Sequence, residues 1–259
     1  FKTCADEVHR WGVDNQVLFD AGKEHFCILH RDDPYGDVFR LLGVDFDNQL
    51  LMAQYCKGLG RRLRSKMQML LRARYFHSTA KLINQDKTHV LSLVELPTPA
   101  IYHAAPTHLD LIDSVQRSFL KAIGVSEATA FVEMNLAPLQ MRRDLSMLGA
   151  LHKCAYKVAH ADMCKFYPLH KPSEHRYPTR RQPTHNHQLH DFCRERSERP
   201  WQLWMKRSAY GLIGVYNELP QKVVDLKKVS LFQKELQDTA KELCKNDFPD
   251  WQFLYSPKV

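Results

Sequence analysis

Met52-Ala53-Gln54-Tyr55-Cys56-Lys57-Gly58-Leu59-Gly60-Arg61-Arg62-Leu63-Arg64-Ser65-Lys66-Met67-Gln68-Met69-Leu70 is the stretch on which the reading of this chain turns. Met52, Tyr55, Leu59, Leu63, Met67 and Leu70 recur at spacings of three and four, the period of one helix face and not of a strand. Gly58 and Gly60 are weak points in such a helix, because glycine carries a high conformational cost there. The rest of the helix is basic. Lys57, Arg61, Arg62, Arg64, Lys66, Arg72 and Arg74 fall between Gln54 and His77, and no Asp or Glu does. Clustered cations with no compensating acid are the main requirement for contacting phosphates. A charge run is usually a solvated face, but the complete lack of acid here favours a binding role.

Towards the C-terminus the helical reading continues. Ile83, Val90 and Val94 suggest a second helix, ended by Pro97-Thr98-Pro99. Leu109, Ile112, Gln116, Phe119 and Ile123 mark a third, closed by Gly124. Pro138 suits the first turn of a fourth, which carries Leu145, Leu148 and Leu151. Residues 168–200 then change character, with five prolines, five histidines and seven Arg/Lys, a composition that reads as a linker unable to bury itself. Beyond it, Ser230 and Gln233 read as a capping box opening a helix with Val229, Phe232, Leu236, Ala240 and Leu243 on one side.

Towards the N-terminus the pattern mixes periods. Phe1, Ala5, Val8 and Trp11 predict a helix with Gly12 as its stop. Residues 25–30 and 39–46 are strand candidates on either side of the turn-forming Arg31-Asp32-Asp33-Pro34-Tyr35-Gly36, which predicts a hairpin. The expected fold class is α+β, mainly α, with short hairpin strands near the N-terminus followed by a helical bundle.

Composition sets outer limits. The 259 residues are 44% hydrophobic and 25% charged, as in an ordinary globular protein. No run of eighteen apolar residues exists, so no helical membrane span is expected. Net charge is +8, which biases the chain towards polyanions. Seven cysteines, odd in number and never spaced CxxC, fit reduced thiols and an intracellular setting, nucleus or cytoplasm. The charged opening Phe1-Lys2-Thr3 without Met is the pattern of a reading frame that begins further upstream. Oligomeric state is left open.

Four segments in order carry a family resemblance. They are Trp11-Gly12 to Asn15 with Leu18-Phe19-Asp20 and Lys23-Glu24-His25-Phe26; Phe39-Arg40-Leu41-Leu42-Gly43-Val44-Asp45-Phe46-Asp47; Leu109-Asp110 to Gly124 with Asn135-Leu136-Ala137-Pro138-Leu139 and Arg142-Arg143; and Arg207-Ser208-Ala209-Tyr210-Gly211-Leu212 to Tyr216-Asn217-Glu218-Leu219-Pro220. This order resembles the end of the palm and the thumb of non-LTR retrotransposon reverse transcriptases, RNA-directed DNA polymerases. Leu42 stands where the family usually has an aromatic residue. The resemblance implies four regions: 1–48 as the end of the palm with primer-grip-like strands, 49–167 as a helical thumb-like region, 168–200 as a flexible linker, and 201–259 as a small C-terminal helical extension. It also implies an RNA/DNA template–primer as partner. Leu42 and Gly43 join the basic residues as nucleic-acid contacts.

That family holds Mg²⁺ with palm aspartates, including an xADD pair, for two-metal nucleotidyl transfer. This chain has no such constellation, so Mg²⁺ belongs to a full-length parent and no cofactor is assigned to the chain itself. Asp32-Asp33, between turn formers, reads as a solvated turn. Lys23 is the one catalytic candidate, a general acid for departing pyrophosphate, with an exposed turn lysine as the equal alternative. His185, His187, His190 and Cys193 have spacings that zinc accepts, but no Cys pair or second cluster completes a finger, so no metal site is assigned. Trp201 and Trp204 read as core anchors. The chain is thus read as a catalytically incomplete polymerase fragment that grips primer and template. The alternatives are a non-catalytic basic nucleic-acid-binding module and an inert retroelement relic.

Overall fold

The structure, a computed structural model, describes residues 2–20, 28–30, 36–170, 184–193 and 200–257. It divides into two units, Phe1–Leu50 and Leu51–Val259. The fold is mainly helical, with one short antiparallel hairpin near the N-terminus, as the periodicities predict.

In the first unit, α1 spans Lys2–Asp14, and the hairpin pairs β1 (Phe39–Leu41) with β2 (Val44–Phe46). Gly12 does not stop α1. A Cβ there would lie 2.3 Å from the Phe19 ring and 3.0 Å from the Val17 carbonyl oxygen, so any larger residue would have to displace the Phe19 ring where the chain returns on the helix. Residues 39–46 are not one strand but a complete hairpin. Leu42 and Gly43 form its two-residue turn with φ of 50° and 81°, the left-handed pair that matches the right-handed twist of flanking strands. Glycine takes the second position without strain. Phe39 and Phe46 stack across the ladder at 5.1 Å, and Arg40 pairs with Asp45 at 3.6 Å. The other predicted strand, 25–30, and the Asp32-Asp33 turn fall largely outside the described residues.

The second unit begins with α2 (Ala53–Arg72), α3 (Thr79–His89), α4 (Leu91–Glu95), α5 (Thr98–Ile101), α6 (Pro106–Ala122) and α7 (Glu127–Val132). It continues with α8 (Leu139–Ala155), α9 (Ala161–Phe166), α10 (Pro200–Arg207), α11 (Gly211–Asn217), α12 (Gln221–Val224) and α13 (Val229–Lys245). A 3-10 turn over Trp251–Phe253 follows. The expected second helix is divided at Val90 into α3 and α4; α4 ends at Glu95, just before Pro97 as expected, and Pro97 then precedes the short α5. Gly124 does close α6. The Val125 N–H reaches the Leu120 carbonyl at 3.0 Å, and the Gly124 N–H reaches Lys121 at 3.2 Å.

One core cluster gathers around α8. Leu145, Leu148 and Leu151 pack with Leu212, Tyr216, Phe232, Leu236 and Ala240, so residues 201–259, read from sequence as an extension, share this core. The capping box is not formed: Lys228 precedes α13, and the Gln233 amide donates to the Leu145 carbonyl at 2.9 Å. Part of the expected linker is also packed. The Asn217 amide donates to the Leu189 carbonyl and accepts its N–H, both at 2.8 Å, and Leu189 pairs with Leu169. Two hydrogen bonds to one side chain satisfy backbone that composition alone leaves without partners.

Candidate functional site

The basic residues predicted between 54 and 77 are brought together on α2 and its C-terminal turn. The inward face of α2 buries Tyr55, Cys56, Leu59, Gly60, Leu63 and Met67, four of which, Tyr55, Leu59, Leu63 and Met67, belong to the predicted stripe. Gly60 marks the crossing with α6: a Cβ there would meet the Leu111 carbonyl oxygen at 3.0 Å. The outward face then follows from geometry. Lys57, Arg61, Arg64, Gln68 and Arg72 succeed one another at four, three, four and four residues, so they form a single stripe opposite the buried one. All seven cations of the segment are exposed. Among the described residues, no carboxylate forms an ion pair with any of them. The guanidinium of Arg62 lies 5.9 Å from the Tyr55 ring centre, and that of Arg74 lies 4.8 Å from the Tyr75 ring centre. Long cations held over rings keep their charge outward while their stems cover apolar surface.

The stripe ends in a groove. Gln68, Leu71, Arg72, Arg74 and Tyr75 line an open recess of about 310 Å³. Gln68 and Tyr75 are not among the residues predicted from sequence. The available signal was position: Gln68 continues the cationic stripe, and Tyr75 follows its last arginine.

Beneath α2 is a different environment. Asp86, on α3, is 1% exposed, and neither of its carboxylate oxygens has a hydrogen-bond partner. It lines a small, mostly apolar cavity with Leu63, Met67, Val94 and Ile112. Burial pushes its carboxyl up to about 7, opposed by the charges of Arg142 and Lys87.

The remaining predicted sites are dispersed. Lys23 lies outside the described residues. Leu42 and Gly43 form the hairpin turn of the first unit, where Leu42 is 90% exposed, so neither lies within a strand. Arg142 and Arg143 are engaged internally. Arg142 pairs with Glu95, and Arg143 grips Asp113 through two bonds of 2.7 Å.

The histidine cluster serves packing. His185 Nε2 donates to the Tyr216 carbonyl at 3.0 Å, and its Nδ1 accepts from the His187 N–H at 3.2 Å, so both ring nitrogens are occupied. His187 tilts on Tyr156 at 4.4 Å and His190 sits edge-on to Phe192 at 4.5 Å. Among the described residues, no group of three or more His, Cys, Asp or Glu is placed to hold a metal ion. Trp204, predicted as a core anchor, is 39% exposed against His103, and the Trp201 side chain lies outside the described residues.

Among the described residues, no helix is long and apolar enough to cross a membrane. No family model matches the chain, and no curated protein or solved structure is similar enough to it to count as a match.

Proposed function

We propose that the second unit grips the sugar–phosphate backbone of nucleic acid through the outward stripe of α2, as part of an RNA-directed DNA polymerase of the non-LTR retrotransposon kind. One observation carries the reading: Lys57, Arg61, Arg64 and Arg72 line one face of a helix whose opposite face is buried, with no acidic partner among the described residues. Folding fixes the helix and leaves the charge to solvent. Such a surface neutralises phosphates, releases their counterions and reads no base, as holding a template–primer at any sequence demands. Over Arg61 to Arg72 the stripe runs about 16 Å at 1.5 Å per residue, enough to contact several consecutive phosphates.

Polymerisation is a separate matter. The chain carries no xADD pair, so residues 1–259 alone are expected to show no Mg²⁺-dependent primer extension. The second reading, a non-catalytic binding module, shares the α2 surface and needs no missing residue. A longer reading frame whose upstream aspartates support extension by the assembled protein would select the polymerase.

Fluorescence anisotropy with a labelled duplex, repeated across salt concentrations, tests the grip. Replacing Arg61, Arg62 and Arg64 by Gln removes up to three phosphate contacts. The slope of log K against log salt should flatten by about 2.7, and affinity near 0.1 M salt should fall by roughly 500-fold. Unchanged binding in that variant, with its helix content intact, would remove α2 from the interface.

A further inference from the structure

We infer that the groove at the C-terminal end of α2 takes an unpaired base of single-stranded nucleic acid, stacked on Tyr75. This rests on the proposed phosphate-gripping role of α2 and gives that surface a preference it would otherwise lack.

Two large rings stand exposed beside the groove. Tyr75 and Phe76 are 78% and 83% exposed, side by side in the turn that follows α2. Single exposed apolar side chains are ordinary, whereas adjacent large aromatics left in water bear a cost that packing does not recover. Their neighbours are cations. Arg74 immediately precedes them and Arg72 lies two residues before it, and the nearest acid in the sequence on the N-terminal side is Asp47. Apolar rings within an all-basic surface suit a ligand that is both polyanionic and flat. A nucleobase beside its own phosphate is such a ligand; an acidic or apolar protein surface matches one half of the chemistry only.

Geometry places the two halves together. Gln68 and Arg72 belong to the outward stripe of α2 and also line the groove, so the phosphate track runs into it without a break. Arg74 covers one face of the Tyr75 ring at 4.8 Å and donates to its hydroxyl at 2.6 Å. The guanidinium therefore holds the ring before any ligand arrives and takes one of its faces, while the second face belongs to a side chain that is largely exposed and lines the recess. A base on that second face completes a cation–ring–base stack. Gln68 supplies an amide that both donates and accepts, suiting base edges without demanding one base. In a paired duplex the bases are stacked on one another and are not free to enter, so the groove discriminates for single strands or frayed junctions.

The test compares a labelled oligo-dT single strand with a blunt duplex of equal length, by anisotropy at one salt concentration. Tyr75→Ala is expected to weaken single-strand binding by roughly 5- to 20-fold and duplex binding by less than about 2-fold, and Tyr75→Phe is expected to retain the single-strand affinity. An oligonucleotide carrying one 2-aminopurine should show quenched fluorescence with the wild type and recovery with Tyr75→Ala. Equal losses on both ligands, or none, would overturn the base-stacking role while leaving the phosphate grip standing. Failure of either ligand to bind the wild type at low salt would remove both. If Tyr75→Ala instead abolishes self-association seen by sedimentation and spares binding, the rings serve a second copy of this chain and the inference fails.

Discussion

Helices α2 and α13 are built on the same plan and present opposite surfaces. Each buries a stripe at helical spacing: Tyr55, Leu59, Leu63 and Met67 in α2, and Phe232, Leu236, Ala240 and Cys244 in α13. On α13, however, Lys234, Lys241 and Lys245 are balanced by Glu235, Asp238 and Glu242. Its polar side chains also bond within the protein. Gln237 and Lys241 both donate to the Asn135 side-chain oxygen, at 2.7 and 2.8 Å. The six cations within α2 have no acid on the helix and no ion pair among the described residues. Folding requires the buried stripe of both helices but requires the charge of neither. A mixed polar face is sufficient for solubility, so the one-sided charge of α2 is the feature on which the proposed grip on a polyanion rests.

The comparison breaks most directly by exchanging charges. Replacing Lys57, Arg61, Arg64 and Arg72 by Glu is expected to abolish measurable nucleic-acid binding at 0.1 M salt, because lost contacts and new repulsion act together. Replacing Lys234 and Lys245 by Glu on α13 should change affinity by less than about 3-fold. Circular dichroism should show both proteins folded, since every replaced side chain is outside the core. Equal losses from the two helices would mean that net charge, not the α2 stripe, governs binding.

The undersides of the two helices differ as well. Near α13, Asp144 on α8 is buried but receives Tyr102 and Ser256 hydroxyls at 2.6 Å each and the Gln140 amide at 3.0 Å. Below α2, Asp86 receives no such donor. With its folded value raised from 3.8 to about 7, Asp86 binds its proton more tightly in the folded chain than in the unfolded one. Its contribution is fully present below pH 4 and is lost as pH rises through 7. The loss amounts to roughly 4 kcal/mol at most. Asp86→Asn removes that titration, so the difference in stability between variant and wild type should shift in the variant's favour from pH 4 to pH 7.5 and then level off. Chemical denaturation at several pH values gives the curve. Parallel profiles would show that Asp86 has a donor in solution.

What could be read from sequence follows the range of the forces involved. The α2 stripe and the close at Gly124 are local: periodicity fixes one and a left-handed glycine fixes the other, with no knowledge of distant residues. The Leu42-Gly43 turn was equally local, but its strand-forming neighbours made 39–46 look continuous. Only the pairing of Phe39 with Phe46 shows that the run folds back on itself. The packing of residues 184–193 depends on Asn217, and the isolation of Asp86 depends on α2, α4, α6 and α8 closing over it. Neither leaves a pattern in its own neighbourhood. The cations of the candidate site were legible because charge balance is a property of sequence. The groove residues Gln68 and Tyr75 were not, because a recess is a property of shape.

The smallest expected effect concerns the two glycines that interrupt α2, identical in sequence terms and different in space. A methyl group at Gly58 meets nothing within 4 Å, whereas at Gly60 it meets the Leu111 carbonyl oxygen at 3.0 Å. Gly58→Ala should therefore stabilise the protein by about 0.5–1 kcal/mol, since it relieves the entropic cost of glycine within a helix. Gly60→Ala gains the same entropy but must push α6 away, and backbone cannot rotate aside as a side chain can. The net change should be a loss of about 1 kcal/mol or more. Neither substitution touches the outward cations, so binding by the folded protein should match wild type. Opposite signs in thermal denaturation would establish that α2 is held against α6 at Gly60. If both substitutions stabilise, the crossing is looser than the 3.0 Å approach implies, and the stripe of α2 is positioned by its apolar side chains alone.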